Sequence, residues 1–174
     1  MSSTPSRRRF MQSVPALGTL MGTLFGLSAA QATEPAKPAA AAAPAKKERF
    51  PGDPPEHHIV YQINHAEWEY IEHILNSISA MLTKYEDNVG IAVVVFGAGI
   101  HLLAKNPKRD IPELLRQRVK AQAKDYGVKY IACGNTMKTV GWEKKDMVDF
   151  AQVEEVGAAA IMELQEKGYA YLAW

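Results

Sequence analysis

The uninterrupted apolar run at residues 91–96 is the feature that most constrains the fold of this chain. It reads Ile-Ala-Val-Val-Val-Phe and contains no polar residue. A short run rich in β-branched side chains is typical of a strand that is buried on both faces. Strands of that kind belong to parallel sheets covered by helices. We therefore expect residues 91–96 to form the centre of a parallel sheet.

Strand and helix patterns alternate on both sides of this run. The segments with strand character are residues 59–64, 91–96, 128–133, 151–156 and 169–173. The segments with helical spacing are residues 68–85, 112–126, 143–148 and 157–167. Strands that alternate with helices form right-handed βαβ units. The sequence predicts an α/β fold: a single small domain with a mainly parallel sheet of four to five strands and helices on both faces.

Residues 1–32 have the pattern of a twin-arginine signal peptide. Arginines at positions 7–9 precede a mildly apolar run at 14–30, and Ala-Gln-Ala at 30–32 is a small-x-small cleavage site. A membrane anchor is the alternative, but the apolar run is short and interrupted by glycines. We predict export to the periplasm by the twin-arginine pathway, with removal of the signal and no stable membrane span afterwards.

Residues 33–56 consist mainly of alanine, proline, lysine and glutamate, which is the composition of a disordered spacer. The α/β domain is therefore expected to occupy residues 57–174. Removal of the three signal arginines leaves 17 basic residues against 19 acidic ones. This balance gives no indication of nucleic-acid binding.

Loops after the predicted strands gather polar and flexible residues at one edge of the sheet. The carboxyl ends of parallel strands share an edge, and ligands of α/β proteins bind there. The loops at residues 64–65, 97–101 and 133–138 are expected to meet at that edge. The candidate ligand-binding residues in these loops are Gly97, Gly99, Gly134, Asn135, Thr136 and Lys138.

Cys133 is the only cysteine of the chain and the candidate catalytic residue. Backbone N–H groups in the turn after it, together with the ammonium of Lys138, would stabilise a thiolate. A thiolate there is a nucleophile or a persulfide carrier. The alternative is a small, buried, inert side chain at the end of a strand. A thiol-disulfide oxidoreductase is disfavoured because no second cysteine is available to resolve a mixed disulfide.

His101 and Thr136 also have two interpretations each. His101 follows the central strand, where it would orient or deprotonate a reacting group, or it is an ordinary exposed loop histidine. The Thr136 side chain would donate to a sulfur ligand, but threonine is also a common cap at loops and helix starts, and we expect the capping role.

Three segments resemble the DsrE/DsrF-like family, whose members include sulfur-relay proteins. They are residues 96–100, residues 128–137 and the Gly-Tyr-Ala-Tyr of residues 168–171. The specific element is Cys-x-Asn-Thr-Met at 133–137. The resemblance runs from Ile59 to the end of the chain. It implies a small α/β fold, a homo-oligomer, and a role for Cys133 as the loop cysteine that carries sulfur as a persulfide.

No cofactor and no metal are expected. Gly97-x-Gly99 begins like a dinucleotide fingerprint, but Leu102 occupies the position of the third glycine. His57 and His65 flank the first predicted strand and so fall at opposite edges of the sheet, which gives no matched set of metal ligands.

Two functional hypotheses follow from these patterns. The first is a periplasmic sulfur-handling protein, similar to a sulfurtransferase if it is active, that carries sulfane sulfur on Cys133. Its sulfur donor and acceptor are unknown, because the relay members of the family work in the cytoplasm. The second is a non-catalytic oligomeric binding module with a structural cysteine. Trp142, Tyr171 and Trp174 are candidate exposed aromatic residues for an oligomer contact.

Overall fold

The computed structural model describes residues 48–174 of the chain. The predicted signal peptide at 1–32, its cleavage site and the first part of the predicted spacer, 33–47, lie outside the described residues. No helix within residues 48–174 is both long and apolar enough to cross a membrane.

The described part of the chain alternates strands and helices. The strands are β1 (His57–Ile63), β2 (Val89–Val95), β3 (Lys129–Cys133), β4 (Gln152–Glu154) and β5 (Ala170–Leu172). The helices are α1 (Trp68–Tyr85), α2 (Glu113–Tyr126), α3 (Gly134–Val140) and α4 (Gly157–Glu166). Short 3₁₀ segments occupy Glu86–Asn88, Gly97–Leu103 and Lys144–Asp146.

The five strands form one sheet in the order β4-β3-β2-β1-β5. All four strand pairings are parallel, and β2 lies between β1 and β3. Its side chains are buried over nearly the whole length of the strand. The apolar run therefore has the central position that the sequence predicts, and the α/β fold with a parallel sheet of five strands is confirmed.

The two faces of the sheet are covered unequally. On the first face, α1 and α2 pack their apolar stripes against the odd-numbered side chains of β1 and β2, such as Tyr61 and Val93. On the second face, α4 is the helix of the described residues that packs against Val60, Val94 and Ile131. Helices lie on both faces, as predicted, but most of the buried apolar area of residues 48–174 is on the first face.

Residues 48–56, at the end of the predicted spacer, are bonded to the domain. The guanidinium of Arg49 pairs with the carboxylate of Asp87 at 2.7 Å and also donates to the carbonyl oxygen of Asp53. The second carboxylate oxygen of Asp87 accepts the N–H of Gly52. These bonds lower the pKa of Asp87, with the Arg49 hydrogen bond as the largest cause. The expectation of an unstructured segment thus differs from the structure at 48–56.

Two local elements differ from the sequence prediction. Residues 134–140, expected to be a loop, form helix α3, which ends at Gly141 in the left-handed conformation with φ 79°. The charged helix expected at 143–148 is only a 3₁₀ turn, Lys144–Asp146. The turn is closed by hydrogen bonds between Glu143 and Asp146 instead of by a longer helix.

Candidate functional site

The loops after β1, β2 and β3 meet at the carboxyl edge of the sheet. Gly99 lies directly against β1: a Cβ at this position would be 2.5 Å from the carbonyl oxygen of Ile63. Gly97 has φ 54°, and a Cβ there would be 3.0 Å from the carbonyl oxygen of Asn64. Both glycines are therefore needed for the close approach of these two loops. They shape the backbone of the site.

The β3 loop joins the same cluster through Thr136. The N–H of Gly97 donates a hydrogen bond of 3.2 Å to Oγ1 of Thr136. Thr136 lies in the first turn of α3, whose N-cap is Cys133. Its hydroxyl oxygen accepts the N–H of the first residue of the 3₁₀ segment Gly97–Leu103 and so connects the loop after β2 to the loop after β3.

Cys133 ends β3 and lies on the second face of the sheet. Its Cα is in register with that of Glu154 on β4. The first residue of α4, Gly157, packs closely on it, so that a Cβ at 157 would be 3.0 Å from Cβ and 3.3 Å from Sγ of Cys133. The cysteine is buried, with 6% of its surface exposed. A glycine at 157 is therefore what leaves space for the sulfur.

The starts of two helices adjoin the sulfur. The N–H of Gly157, the first residue of α4, donates to Sγ at 3.2 Å. Cys133 is itself the N-cap of α3, whose first N–H groups have no partner within the helix. Backbone dipoles oriented in this way stabilise an anion.

The surroundings of Cys133 lower its pKa on balance. Burial of the sulfur raises the pKa of the thiol, but the nearby polar groups of Thr136, Gly157 and Asn135 lower it by more, and of these the Gly157 N–H is hydrogen-bonded to Sγ. The pKa therefore lies below the ordinary value of a cysteine. A lowered pKa increases the thiolate fraction near neutral pH, and the thiolate is the reactive form.

Lys138 does not contribute its ammonium to the sulfur in this arrangement. Its Nζ lies 3.6 Å from a carboxylate oxygen of Glu155, and both side chains are largely exposed. The backbone of Glu155 accepts the N–H of Asn135 at 3.0 Å. The group hydrogen-bonded to Sγ of Cys133 is thus a backbone N–H, that of Gly157, and the lysine that the sequence predicts beside the sulfur is paired with Glu155.

His101 is held on the other side of the loop cluster. Its Nδ1 accepts the N–H of Lys108 at 3.0 Å, and its ring makes an edge contact with Trp142, with ring centroids 4.9 Å apart. Burial lowers the pKa of His101, with smaller contributions from the charges of Arg109 and Lys108. The His101 side chain is buried. It is hydrogen-bonded to Lys108 and its ring contacts Trp142, and neither residue belongs to the loop at 133–138.

Trp142 is half-buried beneath Lys108, and the expectation that it is an exposed aromatic residue is therefore wrong. The ammonium of Lys108 lies 5.4 Å from the centroid of its ring. Tyr171 and Trp174 are exposed as expected, with 40% and 55% of their surfaces accessible.

No cluster of three or more potential metal ligands occurs among residues 48–174. The histidines contact different aromatic side chains: His57 meets Tyr85, and His58 meets Tyr169. The cysteine site therefore consists of the sulfur, the Gly157 N–H that donates to it and the start of α3.

The fold and the site define a class of protein: a small parallel α/β domain with one cysteine at the carboxyl edge of its sheet, between the starts of two helices. The sequence model of the DsrE/DsrF-like family matches residues 59–174, which is more than half of the chain. The chain belongs to the DsrE/DsrF-like family.

Solved structures of low sequence identity share the fold. A protein of unknown function, MTH1491 from Methanobacterium thermoautotrophicum, superposes with a TM-score of 0.61 at 20% identity and covers 68% of this chain and 100% of its own. The ychN protein from E. coli superposes with a TM-score of 0.55 at 15% identity, covering 68% of this chain and 99% of its own. No curated protein sequence matches the chain significantly.

Proposed function

We propose that the mature protein is a periplasmic sulfur carrier that accepts sulfane sulfur on Cys133 and passes it to an acceptor. The observation that carries this proposal is the polar environment of Sγ, which accepts the N–H of Gly157 at 3.2 Å and lies at the start of α3. Membership of the DsrE/DsrF-like family, which includes sulfur-relay proteins, supports the same chemistry.

The reaction requires only the thiolate and a donor persulfide. The Cys133 thiolate attacks the terminal sulfur of a donor persulfide, R–S–SH, and a new S–S bond forms at Sγ. The donor S–S bond breaks, and its electron pair leaves on the donor thiolate, R–S⁻. The reverse sequence with an acceptor thiolate returns Cys133 to its starting state, so that no net oxidation or reduction occurs.

Mass spectrometry of the intact mature domain tests this function. Incubation with a low-molecular-weight persulfide should add the mass of one sulfur atom, and a reductant should remove it. Cys133→Ser is the matched control because it keeps a small polar side chain and lacks the sulfur. A native protein that gains no mass while its thiol remains free would contradict the carrier function.

The alternative is a binding module of the same fold with a packed, inert cysteine. Two observations favour it: Cys133 is only 6% exposed, and an open depression of about 440 Å³ lies elsewhere, lined by Ala66, Glu67, Trp68, Arg109 and Asp110. Alkylation by a small reagent separates the two functions. A reactive thiol is modified under native conditions, whereas an inert one is modified no faster than the domain unfolds.

We also propose that the protein forms a homo-oligomer. Tyr171 and Leu172, exposed at 40% and 37%, lie on β5 at the edge of the sheet, with Trp174 following them. Exposed aromatic side chains grouped in this way are enriched in protein interfaces. Light scattering of the mature domain at micromolar concentration tests the assembly, and a single monomeric species would count against it.

The periplasmic location depends on the predicted signal at residues 1–32. Replacing Arg7 and Arg8 with lysine should leave the precursor in the cytoplasm, because the twin-arginine pathway reads the arginine pair. Cell fractionation measures the effect, and amino-terminal sequencing of exported protein should give Thr33 as the first residue. Normal export of the double variant would refute the signal assignment.

A further inference from the structure

His101 holds a loop of the carboxyl edge through a ring nitrogen that carries no proton. Its Nδ1 accepts the backbone N–H of Lys108 at 3.0 Å. A histidine nitrogen that accepts a hydrogen bond is unprotonated, so this contact requires the neutral ring with its proton on Nε2. The residue is buried within the segment Gly97–Leu103. The geometry therefore fixes both the charge and the tautomer of His101.

Lys108 is bound a second time, at the end of its side chain. Its Nζ donates to the carbonyl oxygen of Val140, the last residue of α3, at 3.0 Å. Lysine side chains commonly bond the last carbonyls of a helix. The same ammonium lies 5.4 Å from the centroid of the Trp142 ring, and that ring makes the edge contact with His101. One lysine therefore connects the imidazole to the end of the helix that begins next to Cys133.

The loop around Lys108 is anchored on both sides. The N–H of Lys105 donates to the carbonyl oxygen of Asp146 at 2.8 Å. Ile111 is buried in the core of the first face. Residues 106–110 lie between these two anchors and are exposed or half-buried; we call them the Lys108 loop. Because the ends of this loop are fixed by the core and the backbone, the contacts of Lys108 decide whether its middle is held.

The charges near the ring oppose a second proton on it. Burial lowers the pKa of His101, and the cations Arg109 and Lys108 lower it further. No carboxylate among residues 48–174 forms an ion pair with His101. Charged groups of the neighbouring segments are engaged elsewhere, in the contacts Glu67–His65, Glu113–Arg116, Glu143–Lys145, Lys138–Glu155, Asp146 with the N–H of Glu143 and Lys105 with the carbonyl of Lys145. Asp110 and Lys144 are exposed. A proton added to the ring therefore meets two cations and gains no paired carboxylate.

We propose that His101 is a pH-sensitive latch: the neutral ring holds the Lys108 loop on the end of α3, and the protonated ring releases it. A proton on Nδ1 would face the N–H of Lys108, so that two donors would occupy a contact that needs a donor and an acceptor. The ring then turns or the Lys108 backbone moves, and the hydrogen bond is lost in either case. The latch does not depend on the carrier function of Cys133.

Nuclear magnetic resonance of the isotope-labelled mature protein tests the latch. Spectra of the His101 ring should show an unprotonated Nδ1 above a midpoint that lies below the ordinary histidine value of about 6.5. As the pH falls through this midpoint, the backbone amides of the Lys108 loop should gain fast motion. Hydrogen exchange of the Lys108 amide should rise about tenfold relative to that of Val148, the change expected from the loss of one hydrogen bond. Val148 is the internal reference because its N–H is bonded to the carbonyl of Leu103.

His101→Asn is the matched variant, because it removes the titration and keeps a side-chain acceptor. Thermal unfolding establishes that it is folded, and His101→Gln replaces it if it is not. In this variant the motion of the Lys108 loop should not change between neutral and mildly acid pH. A loop that still loosens at the native midpoint overturns the proposal, because another group would then be responsible. A native loop that stays rigid while His101 gains its proton overturns it as well, as does a ring that stays neutral until the domain unfolds.

A second measurement tests the link to α3. The carbon resonance of the Val140 carbonyl reports the hydrogen bond from the lysine ammonium, and Lys108→Met removes that donor while keeping the backbone N–H that binds His101. In acid, the native resonance should move to the position that Lys108→Met shows at neutral pH. A native Val140 carbonyl that does not shift as His101 titrates, although Lys108→Met shifts it, would overturn the release of the helix end.

Discussion

The two faces of the sheet have different roles in this molecule. The first face is covered by α1, α2 and the segment Gly97–Leu103, and these bury large side chains such as Ile74 and Leu103 completely. The second face is covered by α4, and its cluster of buried residues consists of Val60, Ala92, Val94, Ile131 and Ala160. Most of the hydrophobic stabilisation therefore comes from the first face, because that stabilisation scales with buried apolar area.

The cysteine lies on the thinly covered face. Gly157 contacts it from α4, a helix whose outward side exposes Met162 at 53%. A reactive group on such a face is closer to solvent and to partners than one beneath α1 and α2. Regions that open at low free energy have few buried apolar contacts, and the second face meets that description. The comparison predicts that substitutions on the two faces differ in their effects on stability and on the thiol.

The largest expected effect is a loss of stability on the first face. Ile74→Ala removes a side chain of α1 that is fully buried and should lower the free energy of unfolding by about 2–5 kcal/mol. Leu164→Ala, on α4, removes a side chain that is only partly buried and should cost roughly 1 kcal/mol. Urea denaturation measures both. Equal losses would contradict the difference between the faces, and a loss for Leu164→Ala that grows with protein concentration would indicate that an oligomer covers α4.

The next largest effect concerns the thiol. Gly157→Ala places a Cβ 3.0 Å from Cβ and 3.3 Å from Sγ of Cys133. Overpacking of this kind costs about 1–3 kcal/mol, and the added methyl group should also slow alkylation of Cys133. Ala158→Ser is the control, because the neighbouring position on α4 is exposed. Unchanged alkylation of a folded Gly157→Ala protein would mean that the reagent reaches the sulfur from another direction.

A smaller effect is the loss of stability at acid pH that comes from His101, which belongs to the segment covering the first face. Because the pKa of His101 is lowered in the folded state, the unfolded chain binds a proton more readily. Stability from the neutral histidine is complete above the unfolded pKa of about 6.5 and is lost as the pH falls through the lower folded value. His101→Asn keeps an acceptor for the Lys108 N–H and removes the titration. Denaturation at several pH values should therefore show a weaker acid dependence in this variant than in the native protein.

The smallest expected effect is the pH dependence of stability that comes from Cys133, on the second face of the sheet. The pKa of Cys133 is also lowered by folding, so stability from the thiolate is complete above the unfolded pKa of about 8.5 and is lost as the pH falls through the folded value. The native protein should thus gain stability relative to Cys133→Ser as the pH rises toward 8.5. A constant difference between the two proteins across this range would show that folding leaves the thiol unperturbed.

The framework of the fold could be predicted because the sequence carries its pattern locally. β2 is apolar throughout, which is the typical composition of a strand that is buried on both faces. Gly127 ends α2 in the left-handed conformation, with φ 70°, as its position after the helical pattern predicts. Cys133 and Gly97 fall at the shared edge because parallel topology brings the ends of β2 and β3 together.

The remaining features depend on contacts between distant residues. Helix α3 begins with glycine and contains two threonines and a valine, which are weak helix formers, so its sequence does not indicate a helix. The local signal for its end is Gly141, which has the left-handed conformation after the last turn. Gln122 is polar and yet buried, because it accepts the hydroxyl of Tyr130 at 2.6 Å and donates to the carbonyl of Leu75. The pairing of Lys138 with Glu155 is likewise a tertiary contact. No spacing in the sequence indicates such bonds.

The ion pair of Arg49 with Asp87 determines where an attachment at the start of the domain lies relative to Cys133. Asp87 lies two residues before the start of β2, so the pair fixes residues 48–56 at the amino edge of the sheet, where β1 also starts. Cys133 lies at the carboxyl edge, and a seven-residue strand such as β1 spans about 20 Å. A bead, a dye or a fused protein attached at residue 48 is therefore at the end of the sheet opposite to the one that holds the sulfur, about a strand's length away.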